Sequence, residues 1–144
     1  MDSLLDFSNK TVLITGAAGG FGRLLAKGFA ARGANLLLSD LHQDSLVALV
    51  ESLSDFNGQI QSLAADVSRE EDHIKLSTVA MDLFGGLHIA INNAGISQQP
   101  SHIHTMTEDS FNKQIDVNLK SVFFAMKYQL AAMLSSSAKE VGGG

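Results

Sequence analysis

The chain has 144 residues, 45% of them hydrophobic, and a formal net charge of −5. That suits one globular domain with its own core, and an acidic surface repels phosphate backbones, so no nucleic-acid partner is expected. The absence of cysteine excludes disulfides, thiolate metal sites and a cysteine nucleophile, and fits a reducing compartment.

Residues 1–6 lack a basic stretch followed by an apolar run, so no signal peptide is expected. No apolar stretch approaches the length of a membrane span either. A cytoplasmic protein without a membrane partner is the expectation. Residues 11–15, Thr-Val-Leu-Ile-Thr, form a short β-branched run ending at glycine and predict a buried first strand. Phe21, Leu25, Gly28 and Phe29 then fall on one helical face, with Gly33 as a stop. Residues 36–40 predict a second buried strand. Leu46, Leu49, Val50 and Leu53 recur at i, i+3, i+4 and i+7, a helical stripe closed by Asn57-Gly58.

Residues 59–66 predict a third strand. Ser68-Arg69-Glu70-Glu71 has the spacing of a capping box, opening a helix whose buried face is Ile74, Thr78, Met81 and Phe84, with Gly85-Gly86 at its end. Residues 87–91 predict a fourth strand, running into Asn92-Asn93-Ala94-Gly95. After a polar loop with the single proline, Pro100, Thr107 is the expected N-cap of a long helix reaching about Leu134. The tail, 135–144, is small and polar and is expected to lack structure. The alternation of strand and helix argues for an α/β fold, a parallel sheet between two layers of crossover helices, in one domain over 1–134.

Three segments carry chemistry. In Thr15-Gly16-Ala17-Ala18-Gly19-Gly20-Phe21-Gly22, a glycine-rich turn joins a strand to a helix. Such a turn lets backbone N–H groups approach a pyrophosphate at the positive end of the helix. The spacing is T-G-x-x-x-G-x-G, neither G-x-G-x-x-G nor a P-loop. Asp40, 24 positions beyond Gly16, ends the second strand, where an acid accepts from adenosine ribose hydroxyls; the lesser alternative is that it caps the next helix, and it could do both. As a ribose ligand it disfavours NADP, since a carboxylate ~4 Å from a 2′-phosphate charge costs about 4 kcal/mol at an effective dielectric of 20. Its sequence neighbours, Leu41 and His42, offer no fixed positive charge. The small residues of Asn93-Ala94-Gly95 suit close ligand approach at the end of a central strand. Asn118 lies on the apolar face of the last helix, and a buried amide there would need partners.

Taken together, these segments resemble the short-chain dehydrogenase/reductase family over essentially the whole chain. The family's glycine motif matches residues 15–22, its acidic position Asp40, its Asp-Val adenine contact Asp66-Val67, its Asn-Asn-Ala-Gly motif residues 92–95, and its active-site asparagine Asn118. The resemblance implies a Rossmann-type fold, here β1–α1 to β4–α4 with strand order 3-2-1-4. It also implies reversible oxidation of an alcohol to a carbonyl with a nicotinamide cofactor, NAD preferred because of Asp40. Carried over residue by residue, it assigns cofactor binding to Gly16, Gly20, Phe21, Gly22, Asp40, Leu41, Asp66, Val67, Asn93, Ala94 and Gly95. Asn118 takes a place in the family's proton relay, and the 107–134 helix an interface in a homo-oligomer.

The resemblance also marks a departure. The family's chemistry needs a serine on a fifth strand and Tyr-x-x-x-Lys in the next helix. The only tyrosine here is Tyr128, followed four positions on by Ala132, and Ser135, Ser136 and Ser137 fall too early. The chain is therefore expected to supply the cofactor-binding portion and to be inactive alone. A non-catalytic nucleotide-binding module is the alternative, and a Rossmann-like methyltransferase ranks third. The fourth strand would then stand at a sheet edge, and Phe111, Val117, Val122, Phe123, Phe124, Met126 and Leu130 could not all be covered. His102 and His104 lack a third ligand, so no metal is expected.

Overall fold

Short apolar runs with a helix between each and the next pair in parallel when every helix crosses over the sheet. The structure, a computed structural model, describes residues 5–142. Most of the N-terminal segment read above as lacking a signal peptide, and the last two glycines of the tail, lie outside the described residues. Strands β1 (Thr11–Thr15), β2 (Asn35–Asp40), β3 (Ile60–Ala64) and β4 (Ile89–Asn92) form one parallel sheet in the order β3-β2-β1-β4. The helices between them are α1 (Gly20–Ala30), α2 (Gln43–Ser52) and α3 (Glu70–Phe84). After β4 come α4 (Glu108–Ile115) and α5 (Ser121–Gly142). This is the three-layer arrangement and strand order expected, with β4 at an edge.

The two faces of the sheet follow the two-residue period of a strand. Val12, Ile14, Leu36 and Leu38 meet Ala26 and Ala30 of α1 and Leu46 and Leu49 of α2. Leu13 and Leu37 point the other way, to Leu76 and Ala80 of α3 and Ala132 of α5.

Several expectations about helix faces need correction. On α1 the buried residues are Gly22, Ala26 and Ala30, at i, i+4 and i+8, because small side chains let the helix lie close to the sheet. Leu25 and Phe29 pack beside them, whereas Phe21 is 77% exposed. On α3 the buried face is His73, Leu76, Ser77 and Ala80, while Ile74 and Thr78 are exposed. His73 earns burial by donating from Nε2 to Val67 O at 2.7 Å, a partner the sequence does not reveal. The capping box does not form: Ser68 Oγ donates to Asp66 Oδ1 at 2.7 Å and Glu71 pairs with Arg69. Asp72 instead reaches back to accept from Asp66 N at 2.9 Å.

The long helix begins as expected, with Thr107 Oγ1 accepting from Ser110 N at 3.2 Å. It then opens into a wider π-type turn over Asp116–Lys120 and continues well past Leu134. The tail expected to be unstructured is helical to Gly142. Ser136, a poor helix former by propensity, is buried there because its Oγ accepts from Leu87 N at 2.9 Å and donates to Ala132 O. On the outer side of α4 and α5, Phe111, Phe123, Met126, Leu130 and Leu134 remain at least half exposed, as the count of apolar residues foresaw.

The single tyrosine is used structurally. Tyr128 Oη and Lys127 Nζ both donate to Glu70 Oε1, at 2.7 and 2.8 Å, tying α5 to the start of α3. These bonds, Lys127's first and Tyr128's second, hold the Glu70 carboxyl below the usual carboxylate range. A carboxyl lowered on folding contributes stability that is present above its unfolded pKa and is lost as pH falls through the folded value. Glu70→Gln should therefore lower the thermal midpoint slightly at pH 7, by the modest amount an exposed ion pair allows. Wild type and variant should converge only once the pH has fallen below the lowered folded-state value of Glu70, where both carry a neutral side chain. Thermal melts across pH check this, and a gap that persists in acid would refute it.

Candidate functional site

Every loop that leaves the carboxyl end of a strand contributes to one open cleft of about 860 Å³. Gly16, Gly19, Gly20 and Phe21 follow β1, and Asp40, Leu41 and His42 follow β2. Ala65, Asp66, Val67 and Ser68 follow β3, and Asn93, Ala94, Gly95 and Ile96 follow β4. The crevice beyond the strand ends is where open parallel sheets place ligands.

The glycine loop works by space and by donors. Gly16 has φ +62°, and a Cβ there would stand 2.8 Å from Ala94 Cα. A Cβ on Gly22 would stand 2.1 Å from Gly16 O. Gly22 is buried beneath the loop and does not reach the cleft wall, so its contribution is packing rather than ligand contact. Gly20 differs: a Cβ there would meet nothing within 4 Å, so the position is open to the cleft. The first intrahelical bond of α1 is Arg23 N to Gly19 O, 3.0 Å. The N–H groups of Gly20, Phe21 and Gly22 precede it and have no acceptor within the helix.

Asp40 stands across the loop from these donors. Its Oδ2 accepts from Ala18 N at 3.0 Å and its Oδ1 from Leu41 N at 2.8 Å, so it braces the glycine loop and begins the turn into α2. The sequence showed no cation near it. The fold brings Arg23 to the same residue, with Nε donating to Ala18 O at 2.7 Å. Asp66 lines the cleft with its carboxylate turned to Ser68 N and Oγ, and Val67 extends the wall.

Asn93 joins the glycine loop to β4. Its Nδ2 donates to Thr15 O and Gly16 O, both at 3.1 Å, while Ala94 N donates to Thr15 Oγ1 at 3.2 Å. Gly95 lies where a Cβ would come within 3.2 Å of Asn118 Oδ1. Asn118 sits in the π-type turn and is exposed, not buried as the apolar stripe suggested. The widened turn presents its amide to the backbone of the β4–α4 connection. There it accepts from Ile96 N at 2.8 Å and donates to Ile96 O at 2.9 Å and to Gln114 Oε1 at 2.9 Å.

Sequence reasoning missed a whole wall of the cleft: Asp109, Asn112, Lys113, Asp116 and Val117 of the α4 region. The signal was present, since 109, 112, 113 and 116 are at i, i+3, i+4 and i+7, a polar stripe at helical spacing. No motif gave that stripe a partner. Among the described residues no three histidine, aspartate or glutamate side chains gather as metal ligands, and no helix is long and apolar enough to cross a membrane.

Comparison with known proteins matches this architecture. The model of the short chain dehydrogenase family covers residues 10–142. Cyclohexanol dehydrogenase of Acinetobacter sp. (strain SE19) is 33% identical over 138 residues, which is 96% of this chain and 53% of that protein. The crystal structure of a short-chain dehydrogenase/reductase, glucose/ribitol dehydrogenase, from Brucella melitensis superposes with a TM-score of 0.83 at 37% identity, covering 89% of this chain and 53% of that one. Levodione reductase gives a TM-score of 0.85 at 32% identity, covering 88% and 50%. The chain spans about half the length of the curated relatives it matches. With the glycine loop, the Asn93 lock and the 3-2-1-4 sheet all accounted for within a match that leaves out only the chain's two ends, the protein belongs to the short-chain dehydrogenase family.

Proposed function

We propose that this chain binds the nicotinamide dinucleotide of an oxidoreductase acting on alcohol or carbonyl groups, with NAD(H) preferred over NADP(H). The observation that carries the reading is one cleft with open N–H donors of α1 on one side and the Asp40 carboxylate on the other. Gly20 supports the fit, because the space its missing Cβ leaves opens directly onto the cleft. Gly16, Gly20 and Phe21 would hold the pyrophosphate at the helix N-terminus. Asp40 and Leu41 would hold the adenosine ribose, Asp66 and Val67 the adenine, and Asn93, Ala94 and Gly95 the half nearer β4. Gly22 contributes by letting the loop close. Bound there, the cofactor gives or takes a hydride. Asn118 does not line the cleft; it fixes the Ile96 backbone beside that position and would serve a proton relay from there.

The second reading, a nucleotide-binding module without turnover, is favoured by one observation. Tyr128, the only tyrosine, donates to Glu70 at the start of α3 and does not line the cleft.

Three measurements test these readings. In fluorescence titrations NADH should bind at least tenfold more tightly than NADPH, as repulsion of this order at Asp40 requires. Asp40→Asn should bring the two affinities together, since Arg23 already stands at Ala18; equal binding to wild type would remove Asp40 from the ribose site. A pair of glycine variants separates cradle from packing. Gly20→Ala should fold normally and lose dinucleotide affinity, whereas Gly22→Ala should cost about 3 kcal/mol or more by forcing a Cβ into Gly16 O. Normal NADH binding by Gly20→Ala would refute the pyrophosphate assignment. Finally, the 144-residue chain should show no NADH-dependent carbonyl reduction above background, and a rate abolished by Asn118→Ala would overturn that expectation.

A further inference from the structure

The cleft wall carries four carboxylates, Asp40, Asp66, Asp109 and Asp116, against one lysine, Lys113, and no arginine among the described residues. Three of the acids are engaged elsewhere: Asp40 by Ala18 and Leu41, Asp66 by Ser68, and Asp116 by Lys120 at 3.3 Å. Lys113 has two carboxylates on its own helix within ordinary reach, Asp109 four residues before it and Asp116 three after. It pairs with neither, nor with any other described carboxylate. An exposed ammonium that pairs with neither neighbour and lines the cleft is available to a ligand.

The ligand's charge narrows the choice. The N-terminus of α1 supplies only about half a positive charge, and the surrounding wall is acidic, so a cation on the facing wall adds to the hold that the helix N-terminus has on a doubly charged pyrophosphate. Resting on the dinucleotide reading above, we infer that Lys113 is a cofactor-binding residue whose ammonium meets phosphate charge of the bound dinucleotide from the α4 wall. Its contribution is electrostatic, so it weakens as salt screens the cleft. Arginine at the same place preserves it.

The experiment is NADH titration of the chain at low and high salt, for wild type, Lys113→Met and Lys113→Arg, with uncharged adenosine as a competing ligand. Lys113→Met should weaken NADH binding about three- to tenfold at low salt, the range between an exposed ion pair and a charge-assisted hydrogen bond. It should also flatten the salt dependence and leave adenosine affinity unchanged, while Lys113→Arg restores NADH binding. Unchanged NADH affinity in Lys113→Met would overturn the inference, leaving the lysine to an anionic substrate. Equal loss of NADH and adenosine would reduce the lysine to a structural role. Failure of the wild type to bind NADH at all would instead overturn the dinucleotide reading, and the role of Lys113 with it.

Discussion

The contact between Gly16 and the Asn93-Ala94 backbone is the constraint on which the rest of the site depends. Strand β1 can end beside β4 only if the chain turns sharply at Gly16, in a left-handed conformation with no room for a Cβ. Asn93 then spends its amide hydrogens on Thr15 O and Gly16 O, two carbonyls at a strand end that lack further strand to bond. Thr15 returns the favour by accepting from Ala94 N. Once this junction is made, α1 must start next to the crevice with its N–H groups turned toward it. The loops after β2 and β3 fall alongside because the parallel register sets every strand end at one level. Asp40 adds a brace from the far side through Ala18 N.

A second tether brings the α4–α5 helix into the site. Asn92, the last residue of β4, exchanges both amide hydrogen bonds with the buried Gln129 of α5, at 3.0 and 2.8 Å. Asn118 does comparable work at Ile96, one π-type turn into the helix. A turn of this kind carries an extra residue and leaves its carbonyls less well matched. Here Ser121 Oγ takes up Val117 O at 2.5 Å. The helix thus meets the β4 end through side-chain amides at two points rather than through apolar packing. Its outer apolar residues stay uncovered, and its polar stripe becomes a wall of the cleft.

How much of this was legible differs by element. The strands, the sheet order, the glycine loop and the acid at Asp40 could be seen because short-range patterns and family motifs encode them. The α3 face was misjudged because Ile74 and Thr78 satisfy helical spacing as well as His73 and Ser77 do. Only the Val67 carbonyl makes a histidine the better buried residue. The capping box failed because α3 starts one residue later, with Arg69 at its N-cap, and Glu71 is drawn to Arg69 instead of reaching back. Residues 135–142 looked like a polar tail because serine and alanine give no apolar stripe, and Ser136 has value only opposite Leu87 N.

What the sequence by itself determined is local: which runs are strands, where the chain must turn, and which residue types could cradle a phosphate or face a ribose. Backbone conformation and two-residue or helical periods are set within a few residues, so they survive in a linear reading. Only the tertiary structure decided which polar groups would meet. Lys113 and Gly20, 93 positions apart, line the same cleft. Arg23 and Asp40 share Ala18, and Tyr128 is committed to Glu70. A hydrogen bond or an ion pair needs two partners within about 3 to 4 Å. Proximity across the sheet is created by packing, which sequence separation does not report.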